Sequence, residues 1–304
     1  MAGGLSSRSA AVLLAAVVLA WGTNWPATKM IVQDVTPLWA TALRCMIAAA
    51  ALAPLLWAQG DFIIPRRGDL PVVFCTAILH LVAFSALVAA GLQFVPAGRA
   101  IVLGYTTPLW VAIGAAMFLS EEITRRRAIG IGFGLAGLAV IFNPQTLNWS
   151  DRSALYGSGL ILLAAFCWAV SILHVRAHTW ISTPFRLVFW EILVATVVLL
   201  ALALLIEGPP HIDWSLNLVG LFLFASIFGV VVAYWAMATV NRSLPAVTTS
   251  LGILATPVVG TLGSAIALDE PIDTTLLVAM ALILGGIAVG TTDRGPDSAR
   301  SPSP

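Results

Sequence analysis

Apolar runs of about twenty residues alternate along this chain with short links that carry glycine, proline and charge. A helix needs about 20 mostly apolar residues to cross ~30 Å of hydrocarbon. Lipid offers no partner to backbone amides, so a crossing segment must satisfy them as a helix or within a closed barrel. The two-residue alternation of a barrel strand is absent. Ten windows meet the helical requirement: 9–30, 36–58, 70–93, 97–119, 126–143, 155–177, 184–206, 215–240, 244–267 and 273–291. The expected fold class is an all-α polytopic membrane protein with ten transmembrane helices. The run from Ala10 to Ala20 has the length of a signal peptide. Its apolar character continues past Trp21 toward Met30, so it is kept as a span.

The links are short and punctuated: Gly60-Asp61 through Pro65-Arg66-Arg67-Gly68, Val95-Pro96-Ala97-Gly98, Asn143-Pro144, Gly208-Pro209-Pro210 and Asp269-Glu270-Pro271. None is long enough for a soluble domain. The organisation expected is a cytoplasmic N-terminus (1–8), a first unit (9–143), a linker (144–154), a second unit (155–291) and a disordered Ser- and Pro-rich cytoplasmic tail (292–304).

Composition points the same way. Sixty per cent of residues are apolar and 10% are charged, against roughly 25% charged in a typical globular domain. A net charge of +1, with no basic run that resembles a nucleic-acid patch, gives no reason to expect a nucleic-acid partner. Cys45, Cys75 and Cys167 are widely spaced within apolar stretches, so neither a disulfide framework nor a metal cluster is expected. One lysine against fourteen arginines, with abundant alanine, reads as the base composition of a GC-rich bacterium and suggests its inner membrane. With the N-terminus cytoplasmic, Arg8, Arg66, Arg67, Arg125, Arg126, Arg127, Arg176, Arg186, Arg242, Arg294 and Arg300 fall inside. Lys29, Arg44, Arg99 and Arg152 then fall outside or within the bilayer. Eleven against four puts both termini inside.

The most specific signal is an internal repeat. A shift of 149 residues lays Pro96 on Pro245, Pro108 on Pro257, Glu121 on Glu270 and Gly137 on Gly286. A shift of 147 lays Trp21 on Trp168, Lys29 on Arg176 and Pro37 on Pro184. Five spans per copy is an odd number, so the second copy enters the membrane from the opposite side. Charges agree: three arginines follow Glu121-Glu122-Ile123-Thr124, and none follows Asp269-Glu270-Pro271-Ile272-Asp273. Inverted repeats are an architecture of secondary transporters, whose two halves exchange conformations around a midplane site.

Leu19-Ala20-Trp21-Gly22-Thr23-Asn24-Trp25 with Lys29, then Pro37-Leu38 to Leu43-Arg44, then Pro108 and Glu121 before a glycine-rich fifth span, resemble the EamA family of the drug/metabolite transporter superfamily. Pro108 and Glu121 recur as Pro257 and Glu270. The likeness covers nearly the whole chain and is nearest to the YddG-type exporters of aromatic and other amino acids. It implies a ten-helix basket opening inward and outward. Spans 1, 3, 4, 6, 8 and 9 would surround a central cavity, with spans 5 and 10 outside. Glu191 departs from the repeat, because its counterpart Arg44 is basic.

Trp21, Asn24 and Trp25 share a face of the first span, and Trp168 and Ser171 take the matching face of the sixth. A polar amide at midplane is costly toward lipid and suited to a cavity. His80, Tyr105, Trp110, Tyr234 and Trp235 lie inside spans three, four and eight, where aromatic walls suit a partly apolar zwitterion. Trp39, Trp57, Trp149, Trp180 and Trp214 fall near span ends and read as an interfacial belt. Arg44 and Glu191 each need a partner, either each other or the carboxylate and amine of a solute, with structural pairing placed first. Glu121 and Glu270 end their spans and suggest gate or loop contacts. Pro108 and Pro257, each in mid-span, remove a backbone bond and suggest hinges. Gly130 and Gly134, with Gly286 and Gly290, form GxxxG faces for packing within a monomer or a homodimer.

The function expected is secondary export of small organic metabolites, neutral or aromatic amino acids foremost, by alternating access. Another metabolite or a drug is the alternative solute. A membrane-embedded transferase is the alternative class, though no HExxH, paired-aspartate or GxSxG motif supplies its chemistry. No catalytic residue, metal or cofactor is expected; the partners are the solute and the bilayer.

Overall fold

The computed structural model describes residues 7–142, 151–244 and 246–291, and all regular structure among them is helical. In chain order the helices are α1 (Ser7–Asp34), α2 (Pro37–Gln59), α3 (Arg67–Gly91), α4 (Ala97–Phe118), α5 (Arg125–Ile141), α6 (Arg152–Ala177), α7 (Pro184–Glu207), α8 (216–243), α9 and α10 (Thr274–Thr291). Two arms make up α9, Ala246–Ile253 and Ala255–Leu268. Among the described residues seven helices, α1 to α4 and α6 to α8, are long and apolar enough to cross a membrane. The second arm of α9 and α10 are shorter apolar helices, and α5 has 17 residues. Leu205, Leu216 and Ile266 are among many large apolar side chains left exposed on the outside. Such an exterior suits lipid and would aggregate in water.

Local sequence chooses the ends. Proline opens α2 and α7, where its missing N–H costs nothing. Thr124, Asp151 and Ser215 cap α5, α6 and α8 by accepting from free amides of the first turn. The Ser153 hydroxyl and two backbone amides hold the exposed Asp151 carboxyl below its ordinary pKa.

Both proline-bearing spans are broken, and the break lies ahead of the proline. In α4 the first arm ends at Gly104 and the second begins at Thr107. Gly104 is four residues before Pro108, and Ile253, where the first arm of α9 ends, is four before Pro257. A proline ring clashes with that carbonyl and offers it no N–H. The break therefore falls before each proline, and the proline sits in the first turn of the following arm. Thr106 and Thr107 hydroxyls donate to the freed carbonyls of Leu103 and Gly104, at 2.7 and 2.8 Å.

Other irregularities also recur one repeat apart. Nine-residue π-helical stretches occupy Thr76–Phe84 in α3 and Phe224–Val232 in α8, 148 positions apart. Among the described residues four have positive φ, and they form two pairs: Gly60 with Gly208, and Ser120 with Asp269. Sequences that differ at most positions thus bend the chain alike in both copies.

Packing follows this pairing. α2 lies along α7, and α5 along α10; α1 packs on α8 and on the second arm of α9, while α6 packs on α3 and on the second arm of α4. The glycine faces of α5 and α10 meet each other within the chain. A Cβ on Gly130 would lie 2.5 Å from the Gly286 carbonyl, and one on Gly286 would lie 2.5 Å from the Gly130 carbonyl. Trp39 departs from the expected belt. It is buried, and its Nε1 donates to the Gly208 carbonyl at 2.9 Å, because the α7 terminus closes over the start of α2. Trp57, Trp180 and Trp214 are exposed at helix ends, and Trp149 lies outside the described residues.

Candidate functional site: an aromatic cluster between two end clamps

Helix periodicity puts Trp21, Asn24, Trp25 and Thr28 of α1 on one inward face. Trp21 meets Tyr234 of α8 edge-on, with centroids 6.3 Å apart. Trp25 meets Phe84 of α3 at 6.5 Å, and Phe84 lies 4.9 Å from Trp168 of α6. His80 stacks on Trp168 with centroids 5.1 Å apart and 10° between planes. Each repeat's first-helix tryptophan therefore packs on the third helix of the other repeat. The π-helical stretch of α3 carries both His80 and Phe84 to this wall, a local widening frequent at functional sites.

Two glycines make the close approaches possible. A Cβ on Gly104 would lie 2.6 Å from the Trp25 ring, and one on Gly229 would lie 2.8 Å from Asn24 Oδ1. Asn24 is thus held against α8 while accepting from Arg44 Nη2 at 3.3 Å. Arg44 Nη1 donates to Thr28 Oγ1 at 3.0 Å. Glu191, buried on α7 near Tyr234, forms no ion pair with Arg44. That corrects the expected mutual pairing: although α2 and α7 are neighbours, Arg44 is turned toward α1.

The structure thus brings together Trp21, Asn24, Trp25, His80, Trp168 and Tyr234. Ser171 is buried one turn from Trp168. Tyr105 is buried at the α4 break, and Trp110 leaves the cluster to donate to Thr106 Oγ1 and face Phe166. Trp235 points away from Tyr234 and is 41% exposed. Phe84, Thr28 and Gly229 were missed by sequence reasoning. Phe84, four residues after His80, carried a usable signal; the two small residues carried none.

Beyond this cluster, each end of the bundle has a clamp. Glu270 follows the left-handed residue Asp269 and accepts from the Ala97 and Gly98 amides at 2.7 and 3.0 Å. These are free N–H groups at the positive end of α4. Lys29 donates to the carbonyls of Leu92 and Val95, the latter at 2.9 Å, at the C-terminal end of α3. At the opposite end Glu121 follows the left-handed Ser120. It binds Arg127 at 2.9 Å and also Arg176, the repeat counterpart of Lys29. The Lys29 and Glu270 pair thus grips helix ends, while the Arg176 and Glu121 pair grips itself. Cavity space follows: about 440 Å³ lies at the Glu121 end among Tyr105, Leu109, Arg127, Arg176 and Gly286, against about 130 Å³ at the Glu270 end.

The model of the EamA-like transporter family matches residues 8–143 and 155–292, one copy on each half. The chain belongs to this family. Among its relatives, an uncharacterized transporter, YoaV of Bacillus subtilis (strain 168), is 27% identical over 90% of this chain and 94% of its own length. A probable amino-acid metabolite efflux pump of Salmonella typhimurium (strain LT2) is 27% identical over 93% of this chain and 95% of its own. One solved crystal structure has a TM-score of 0.65 at 23% identity, covering 94% of this chain and 98% of that one, a likeness of fold. As an EamA-family member with seven helices fit to cross a bilayer, the chain is a multi-pass membrane protein of the drug/metabolite transporter class.

Proposed function

We propose that this chain is a secondary transporter that exports small organic metabolites, neutral and aromatic amino acids foremost, by alternating access. In this reading ten segments cross the membrane: the seven long helices together with α5, α9 and α10. They form two inverted five-span repeats, 9–143 and 155–291, with both termini in the cytoplasm of a bacterium. The arginines near the Glu121 end support that orientation.

One observation carries the mechanism. Repeat-equivalent residues hold different partners at the two ends, and the larger cavity lies where the clamp is disengaged. Alternating access requires two halves able to exchange states. In this reading the conformation is the one open at the Glu121 end. On opening outward, Glu121 takes the free amides at the start of α9 and Arg176 takes the carbonyls of Asn241 and Leu244, the counterparts of Leu92 and Val95, while Lys29 and Glu270 release α3 and α4 and pair together. Bending at Gly104–Pro108 and Ile253–Pro257 lets the arms move without reforming whole helices. The cluster between the clamps supplies aromatic faces for an apolar side chain, with Asn24, Arg44 and Glu191 available to polar groups.

Uptake of labelled Trp, Phe, Thr and Met into proteoliposomes, with an acidic amino acid as control and with or without a pH gradient, tests the reading. Saturable uptake of neutral amino acids is expected, and its response to the gradient reports coupling. A folded protein that moves none of them overturns the assignment of solute. Turnover of a lipid-linked substrate without transport would favour a membrane-embedded transferase.

A further inference from the structure

Arg44 is a guanidinium placed inside the helical bundle without an acid. It makes no ion pair among the described residues, and its counterpart in the second repeat, Glu191, lies on a different helix and does not reach it. Of its five N–H donors, two have neutral oxygen partners, on Thr28 and Asn24, and Nε is buried with no acceptor. An ionised side chain within a membrane helix is costly unless it faces water, a counter-charge or a ligand. The residue is partly accessible, as are Trp21, Asn24, His80, Phe84 and Trp168 of the inward-facing group. Its two neutral partners also do structural work on it: Asn24 is fixed by Gly229, and Thr28 by its own bond to the Asn24 carbonyl at 2.7 Å. The guanidinium is thereby aimed, with three donors unspent, beside the face of α1 that carries Trp21 and Trp25.

We propose that Arg44, oriented by Asn24 and Thr28, binds the carboxylate of the transported solute, so that the cluster selects small carboxylates bearing an apolar or aromatic group. A planar guanidinium matches a carboxylate through paired N–H donors, and here, among the described residues, the only partners of its Nη groups are neutral oxygens. The aromatic wall of Trp25, Phe84, His80 and Trp168 then receives the rest of the solute. This deepens the export reading, since it rests on the aromatic cluster being the solute site, but it does not require the solute to be an amino acid.

The test is binding of phenylacetate against phenylacetamide to the purified full-length protein in nanodiscs, read by calorimetry. The two probes share size and ring and differ in charge. Phenylacetate should bind about tenfold more tightly or better, the scale of a charge-assisted hydrogen-bonded pair. Arg44→Gln should erase that ratio while leaving the thermal melt cooperative, and Arg44→Lys should restore part of it. Should Arg44→Gln fail to fold, Asn24→Ala keeps the charge and loosens its aim, and should cut the ratio severalfold. Equal binding of the two probes by the wild type, or a ratio untouched by these variants, overturns the proposal. Displacement of phenylacetate by chloride as readily as by benzoate would assign the guanidinium to an inorganic anion, which also overturns it. Failure of amino-acid uptake together with an intact phenylacetate preference would count against the amino-acid reading alone.

Discussion

Glu121 and Glu270 stand 149 residues apart, each directly after a residue in the left-handed region, yet one carboxylate holds arginine side chains and the other holds the first amides of α4. Serine and aspartate adopt that conformation at a cost of about 1 kcal/mol or more. The same strained turn at both ends aims each glutamate past its own helix. Because the turns match and the partners do not, the difference lies in where the surrounding helices stand.

A first prediction concerns the engaged clamp. Glu270→Gln keeps the shape of the side chain but removes its charge and leaves only one acceptor oxygen for two helix-end amides. A stability loss of about 1–3 kcal/mol is expected, seen as a lower melting temperature. Glu270 should also become dispensable once a second lock holds that end.

That lock provides the second prediction. Gly98→Cys with Glu270→Cys, after Cys45, Cys75 and Cys167 are replaced by alanine, places two thiols on either side of the contact between the Glu270 turn and the start of α4. Oxidation should stop transport, and reduction should restore it. Unchanged flux with the disulfide formed would mean that this end does not open.

The glycine seam gives the third. Gly130→Ala or Gly286→Ala drives a Cβ to 2.5 Å from a carbonyl of the facing helix, where no rotamer change relieves it. A cost of about 1–3 kcal/mol is expected. Gly132→Ala and Gly285→Ala meet nothing within 4 Å and serve as controls. They should be neutral or gain up to about 1 kcal/mol from helix propensity. Equal melting shifts in both pairs would sink the argument for close contact between α5 and α10.

A fourth prediction separates the aromatic cluster from the hinges. Trp168→Ala removes the partner stacked on His80 and should change which solutes are carried without removing the protein from the membrane. Pro108→Ala returns an N–H to the Gly104 carbonyl and favours a continuous α4. It should slow turnover more than it weakens binding, as compared in a kcat and Kd pair. Equal effects on both quantities would argue against hinge motion.

Much of this architecture was legible in the residues. Run lengths located the helices to within a few positions, since lipid allows a crossing backbone few solutions. Matched prolines and glutamates exposed the repeat. A proline states its effect on the carbonyl four residues back wherever it occurs, so the two breaks follow from Pro108 and Pro257 alone, provided they are counted from the preceding turn. Trp21, Asn24 and Trp25 were readable as one face because helical spacing is local.

Other features depend on distant chain segments. Trp39 and Trp57 both look interfacial, but only the terminus of α7 decides that Trp39 is covered. Likewise Tyr234 and Trp235 are adjacent aromatics, and the rotation of α8 alone sends one inward and the other out. Arg44 and Glu191 read as a pair until the α1 face with Asn24 and Thr28 captures the guanidinium. By itself the sequence determined helices, breaks and duplication, because these follow from short-range sterics and the demand for backbone hydrogen bonds. Tertiary structure alone decided which glutamate grips a helix end and which faces a cavity, because both halves carry the same proline, left-handed turn and glutamate at that end and differ in how the surrounding helices lie.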